Sequence, residues 1–476
     1  MSSSIKAGGL TPDEEYGSED DFEPYFRRLH HASTSSRPSS LSGRSSSTSR
    51  PTSPGLLGHL GLNGPTLEVH LLEDHLYMKP SFDENTPTSD PLLQGTVTLH
   101  LPKARTLRHL SVQVLGLQDI GWGDNRAIES SIVLDREVTL LDSLASKADD
   151  DDSAHLKLEK GEHTWEFILV IPSSTPTYER SRWGRVRHRV VAKAKGLAAF
   201  GGDIVTEERE LFLKVDPGGA VSGPPPGFHA RIEGRIDTSS PFGIELQSKH
   251  LMVGGLLLFR FHALPLADQP LVIASIALNI RQHFTLQSPE DATRTLNPKP
   301  DSLHVAFLDG DHPPNDGDLQ SDKPALAANR KNLWSSEGGG ELKFKHLARL
   351  PKDNVLRPST FPGTKAFIKL RHTVEVEILY HLPKDGELGQ RLKVSISKGL
   401  EFHNCSSYLP SLVLPEYAVR DPLPQGPSEE HPNCLCCLKL KPLIERHGKP
   451  LLVEEGRAPI PKLGVDGRTQ GLVDQV

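Results

Sequence analysis

The chain has 476 residues and a formal net charge of −7, with 36% hydrophobic residues and a mean hydropathy of −0.38. So acidic a chain excludes bulk nucleic-acid binding, and any basic surface must be local. The apolar content is lean, which implies folded domains diluted by polar tails, and 40 Gly with 39 Pro point to turns, strands and linkers.

The opening MSSSIKAGGL has no apolar signal core, and the longest apolar run, around Leu251 to Leu266, is broken by Arg260 and His262. That run is too short to span a bilayer. Of the 4 cysteines, Cys434, Cys436 and Cys437 sit together near the C-terminus. This is no disulfide scaffold, and a reducing, cytoplasmic location is expected.

Residues 1–64 are rich in Ser and poor in apolar groups, so they are expected to stay disordered. Ser40 and Ser47 follow Arg37 and Arg44 at the spacing basic-directed kinases prefer, and Ser53 precedes Pro54. These three serines are phosphorylation candidates, unless the tail is an inert solvated one.

The texture changes from Leu67. Val97, Leu99 and Leu101 alternate with polar residues, as do Leu110, Val112 and Val114, then Trp165, Phe167, Leu169 and Ile171. Period two between Gly/Pro breaks predicts antiparallel strands with one buried face. GRVRHRVVAKAK, Gly184 to Lys195, puts Arg185, Arg187, Arg189, Lys193 and Lys195 on one parity and Val186, His188, Val190, Ala192 and Ala194 on the other. Such a row is either a surface for something anionic or a wet face whose cations discourage edge pairing. The run Asp149–Asp152 reads as a solvated loop.

The Pro/Gly segment 217–227 reads as a linker. Beyond it Ile368, Leu370, Val374, Val376, Ile378 and Tyr380 alternate with charged and polar residues in the clearest strand of the chain. Residues from about 287 to 340 are polar and rich in Pro, Gly and Asp, and are expected to be a long mobile insertion. The predicted fold is all-β: two tandem antiparallel β-sandwiches at 65–216 and 228–420, followed by a tail at 421–476. No nucleophile elbow, P-loop or HExxH motif is present, so an enzyme is not expected.

Several stretches together resemble the arrestin family, in its fungal α-arrestin branch. They are GTVTLHL and LSVQVLGL, then LEKGEHTWEFILVIP (Leu158 to Pro172), TPTYERSRWGRVRHRVVAKA with Gly184 and His188 in matching places, and FIKLRHTVEVEI with His372. The similarity runs from about Leu67 to Tyr417. It implies two side-by-side β-sandwiches and an adaptor that needs no cofactor or metal. Such adaptors recruit a HECT-type ubiquitin ligase, through its WW domains, to the cytosolic tails of membrane transporters or receptors. The cargo is then ubiquitinated and endocytosed. The resemblance further implies a cytoplasmic protein recruited to the plasma membrane or endosomes, with peripheral membrane contact and no nucleic acid. The alternative it leaves is an arrestin-fold scaffold that sorts or signals without a ligase.

The family's usual ligase motif, PPxY, does not occur in this sequence. The nearest match is Leu414, Pro415 and Tyr417 in LPEY. It is either a WW ligand, read through an extended proline helix and a tyrosine pocket, or part of a closing strand with a buried tyrosine. Pro176 and Tyr178 have the same spacing but lie within the strand pattern. The cations of 185–195 become the candidate cargo or anionic-lipid surface. His188 and His372, on apolar faces, are expected to be satisfied core histidines. Cys434, Cys436 and Cys437 do not read as a standard zinc finger or ribbon. They are expected to be simple thiols, with a zinc site joined by Cys405, His403 and His431, or S-acylation, as the alternatives.

Overall fold

Alternation of apolar and polar residues accounts for most elements of the computed structural model. It describes residues 64–80, 90–123, 128–142, 156–197, 202–216, 227–236, 240–264, 270–315, 332–338, 340–384, 387–407, 434–449 and 451. The serine candidates, the Asp149–Asp152 run and the Leu414–Tyr417 motif lie outside these residues.

The first half carries β1 (Thr66–Leu71), β2 (His75–Met78), β3 (Leu92–Leu101), β4 (Arg105–Leu107), β5 (His109–Gly121) and β6 (Ile128–Asp142). It continues with β7 (Leu156–Leu158), β8 (Gly161–Val170), β9 (Glu179–Ser181), β10 (Gly184–Lys195), β11 (Ile204–Val205) and β12 (Arg209–Val215). A three-stranded sheet, β1-β3-β8, packs on a seven-stranded sheet of path β2-β12-β10-β5-β6, in which β9 and β11 also pair with β10. Val97 and Leu99 of β3, Phe167 of β8, Val112 and Val114 of β5, and Val190 and Ala192 of β10 share one core. Burying each of the larger of these side chains is worth about 1.5–3 kcal/mol.

One pair departs from the antiparallel expectation. The chain crosses from one sheet to the other between β1 and β2, so β2 arrives alongside β12 running parallel to it, Phe212 opposite His75.

The second half carries β13 (Phe228–Ile236), β14 (Ser240–Ser248), β15 (Leu256–Ala263), β16 (Val272–Gln287), β17 (Thr295–Leu296), β18 (Asp301–Leu308), β19 (Trp334–Ser335), β20 (Leu342–Arg349), β21 (Ile368–His381) and β22 (Arg391–Leu400). The sheets are β13-β14-β15-β20 and β17-β16-β21-β22, with β18 and β19 also paired to β16. The core between them includes Phe242, Phe259, Phe261, Ile276, Val376 and Ile378. The segment expected to be a mobile insertion is therefore partly sheet. Leu303, Ala306 and Leu308 of β18 are buried against β16, and three apolar contacts of that kind anchor the strand despite its polar surroundings.

β15 is buried at every position, LLLFRFHA. Its two faces serve two cores. Leu257, Phe259 and Phe261 point into the sandwich. Leu256 and Leu258 pack with Leu347 under a C-terminal segment that supplies Leu435, Leu438, Leu443 and Leu451. A strand covered on both sides loses its alternation, which is why this run reads as a continuous apolar stretch.

Residues 64–476 form one compact unit. Within it the sandwiches meet through Ile120, Phe284, Leu286, Ile368 and Leu370, flanked by Trp122 and Trp183. Gly184 stands at this seam with φ +140°. A Cβ there would lie 2.0 Å from the Asp119 carbonyl oxygen and 2.9 Å from Ile368 Cδ1, so only glycine fits.

Candidate functional site

Alternation along β10 is regular from Gly184 to Lys195: the apolar parity and His188 are buried and the cationic parity is partly exposed. The strand is not an edge. β5 pairs along its whole length on one side, and β9, β12 and β11 pair on the other. Edge protection therefore does not explain the cations.

Most of those cations are already engaged. Arg185 Nε donates to Asp119 Oδ2 at 3.3 Å, Arg189 pairs with Glu208, and Lys193 lies 3.1 Å from Asp203. Arg187 differs. Its Nε and Nη2 are buried and have no hydrogen-bond partner among the described residues. Burial, and then the neighbouring Arg185, pull its guanidinium below the usual range. A charged group held short of donors' partners in this way favours an incoming anion. The sequence placed five cations in a row; the structure leaves one of them with spare buried donors.

His188, on the buried parity, was expected to be satisfied, and it is not. Neither ring nitrogen has a partner among the described residues, and burial lowers its pKa to about 4. It sits against Gly116, where a Cβ would come within 2.8 Å of the imidazole Cδ2. The close fit leaves no room for a polar neighbour. His372 is satisfied: Ser359 Oγ lies 2.8 Å from Nδ1 and Gln282 Oε1 lies 3.3 Å from Nε2. The Ser359–His372 pair has the composition of a nucleophile and base, but both are buried. Ser359 Oγ also accepts the Phe402 N–H at 2.8 Å, and burial drives His372 down to about 3. It ties the segment before β21 to the end of β22.

The seam between the sandwiches is polar around its apolar centre. Arg357 Nε donates to Glu179 Oε1 at 3.2 Å, Arg182 pairs with Asp301, and Ser288 Oγ donates to Glu129 Oε1 at 2.5 Å. Arg294 stacks 4.0 Å from the Trp122 ring centroid. Each partner comes from a different sandwich, so no local pattern in the sequence marks these pairs. Pro176 is buried near this seam, and Tyr178 packs edge-on against Phe212 at 5.5 Å.

The cysteines converge although they lie on separate segments. Cys434 Sγ is 3.0 Å from Cys437 Sγ, and the sulfurs of Cys405 and Cys436 lie within 4.8 Å of each other. Cys434 and Cys437 have the C-x-x-C spacing, which Cys436 between them disguises in the sequence. His403 does not join them: it stacks on Phe361 at 4.7 Å. His431 lies outside the described residues. Burial pulls the ammonium of Lys214, on β12, down to about 8.

Residues 79–201, which run from the end of β2 through β10, match the family model of the arrestin (or S-antigen) N-terminal domain. No curated protein matches the chain. The matched span holds the row of cations, Gly184 and His188, within a nearly all-β chain of paired sheets. Residues 79–201 are thus arrestin-like, within a chain of paired β-sheets.

Proposed function

We propose that the protein is an adaptor that brings a HECT-type ubiquitin ligase to plasma-membrane transporters or receptors, so that the cargo is ubiquitinated and internalised. The observation that supports this reading is the arrestin N-terminal domain at residues 79–201 in a chain built of two β-sandwiches. In this reading the β10 face engages the cytosolic tail of the cargo or anionic lipid, with Arg187 as the cation that holds spare buried donors. The ligase contact falls to Leu414, Pro415 and Tyr417, because a proline presets the extended helix that WW domains grip and the tyrosine fills a second pocket. The protein then works from the cytoplasm and is drawn to the plasma membrane or endosomes.

The test is a pull-down of the full chain on isolated WW domains of a HECT ligase, wild type against Tyr417→Ala. Binding that disappears on substitution supports ligase recruitment. The absence of PPxY favours a second reading, an arrestin-fold scaffold for sorting or signalling that recruits no ligase directly. A wild type that fails to bind any WW domain supports that one.

A further inference from the structure

The 4 cysteines of this chain are brought to one place by two segments far apart in sequence. Cys405 follows β22, and Cys434, Cys436 and Cys437 belong to the C-terminal segment. Cys434 Sγ lies 3.0 Å from Cys437 Sγ. The sulfurs of Cys405 and Cys436 and a carboxylate oxygen of Asp353 all lie within 4.8 Å of one another. A tetrahedral ion with metal–sulfur bonds of about 2.3 Å spaces its ligands about 3.8 Å apart. Those three groups fit within the shell of one ion, and Cys434 and Cys437 stand on either side of Cys436 in the sequence.

The surrounding backbone is shaped to it. Leu435 N donates to Cys405 O at 3.0 Å, and Cys437 N donates to Cys434 O at 3.2 Å, which closes the turn that carries three of the cysteines. Arg349 Nη2 donates to the carbonyls of Leu435, Cys436 and Leu438 at 3.0–3.4 Å. Gly254, at φ +74°, lets this turn approach: a Cβ there would stand 2.6 Å from Cys436 Sγ. Lys214 and Lys352 act electrostatically on the thiols, and the Asp353 carboxylate acts in the opposite sense. Cations around a cluster of thiols are what a tetrathiolate dianion needs, since each thiol gives its proton to solvent when it ligates.

We propose that Cys405, Cys434, Cys436 and Cys437 bind one Zn2+ ion, which fastens the C-terminal segment to the second sandwich. Soft thiolate donors select zinc over hard cations, and four of them leave no open position, so the site is structural. Leu435 and Leu438 are then delivered onto Leu256, Leu258 and Leu347.

The experiment is elemental analysis of the full chain, purified under reducing conditions without chelator, with Co2+ exchange as the spectroscopic arm. The expected result is about one zinc per chain, and cobalt-loaded protein with thiolate-to-metal charge-transfer bands and the intense visible bands of a tetrahedral site. Cys434→Ser and Cys437→Ser each reduce bound zinc to background. Because a substitution of buried Cys405 or Cys436 risks misfolding, the wild type with and without a strong chelator is also digested briefly with protease. Chelation releases the C-terminal segment while leaving the sandwiches intact. A folded wild type without zinc, or with Cys434 and Cys437 joined as a disulfide, overturns the site. So does a Cys434→Ser protein that keeps its zinc. None of these outcomes depends on whether the protein binds a ligase.

Discussion

Arg260 and Glu245 form an ion pair at 3.1 Å with side chains only 2% and 5% exposed, between β15 and β14 beneath the C-terminal segment. Arg260 Nη1 also donates to Gln247 Oε1 at 2.7 Å, and Nη2 reaches the Leu451 carbonyl at 3.4 Å. Glu245 takes further bonds from His229 and Gln247, each at 2.7 Å. The pair is therefore the polar floor on which the terminal segment rests. Removing one member strands the other in a dry site. Arg260→Met should lower stability by about 3–5 kcal/mol, with the double variant Arg260→Met/Glu245→Leu recovering much of the loss. Urea midpoints check this, and a single variant as stable as the wild type would contradict it.

The Glu179–Arg357 contact makes the seam sensitive to pH. Burial raises the Glu179 carboxyl above its ordinary 4.5, and the Arg357 charge opposes the rise. A folded value above the unfolded one favours the protonated native state, so this contribution is present below about pH 4.5 and is lost as pH rises through the folded value. Arg357→Met removes the opposing charge. It should cost up to about 3 kcal/mol near neutral pH and much less at acid pH, and Glu179→Gln should remove that pH dependence. Thermal melts across the acid range measure it, and a pH-independent deficit would refute the assignment.

His188 has the opposite sign. Burial depresses it from 6.5 to about 4, so its share of stability is intact above pH 6.5 and is lost as pH falls toward 4. His188→Leu removes two unpartnered buried nitrogens. It should stabilise the fold by about 1–3 kcal/mol and flatten the acid limb between those values. Gly116→Ala should instead destabilise by about 1–3 kcal/mol, because its Cβ meets the imidazole. An unchanged acid limb in His188→Leu would count against the unpartnered ring.

The cations of β10 should be unequal in binding. Arg187→Gln is expected to weaken binding of a fluorescent acidic peptide about tenfold, or about 1.4 kcal/mol. Arg189→Gln should change it little, since Glu208 already holds that guanidinium. Anisotropy titrations at fixed salt separate the two, and equal effects would return the row to a diffuse electrostatic patch.

The sequence shows the strands that bury one face and hides those that bury two. β10 and β21 are legible from alternation alone, because solvent lies on their other side and the parity is kept for ten residues or more. β15 is legible only as greasy, since its second covering layer comes from Leu435, Leu438 and Leu451 far down the chain. β18 is hidden by the polar residues around it. At the site, the residue types were readable and their partners were not. Arg187 differs from Arg189 only because Glu208 stands opposite one of them. His188 and His372 look alike in their strands, and only the fold supplies Ser359 and Gln282 to one and no partner among the described residues to the other. Cys405 joins Cys434 through tertiary structure alone.

The double-sided burial of β15 also bears on what can be cut away. A version of this protein ending soon after Cys405 would keep both sandwiches' interiors yet bare Met252, Leu256, Leu258 and Leu347 to water. Such an uncovered oily shelf on a pleated surface invites self-association and chaperone capture. Proteolysis near the end of the chain would therefore make the protein sticky without unfolding it.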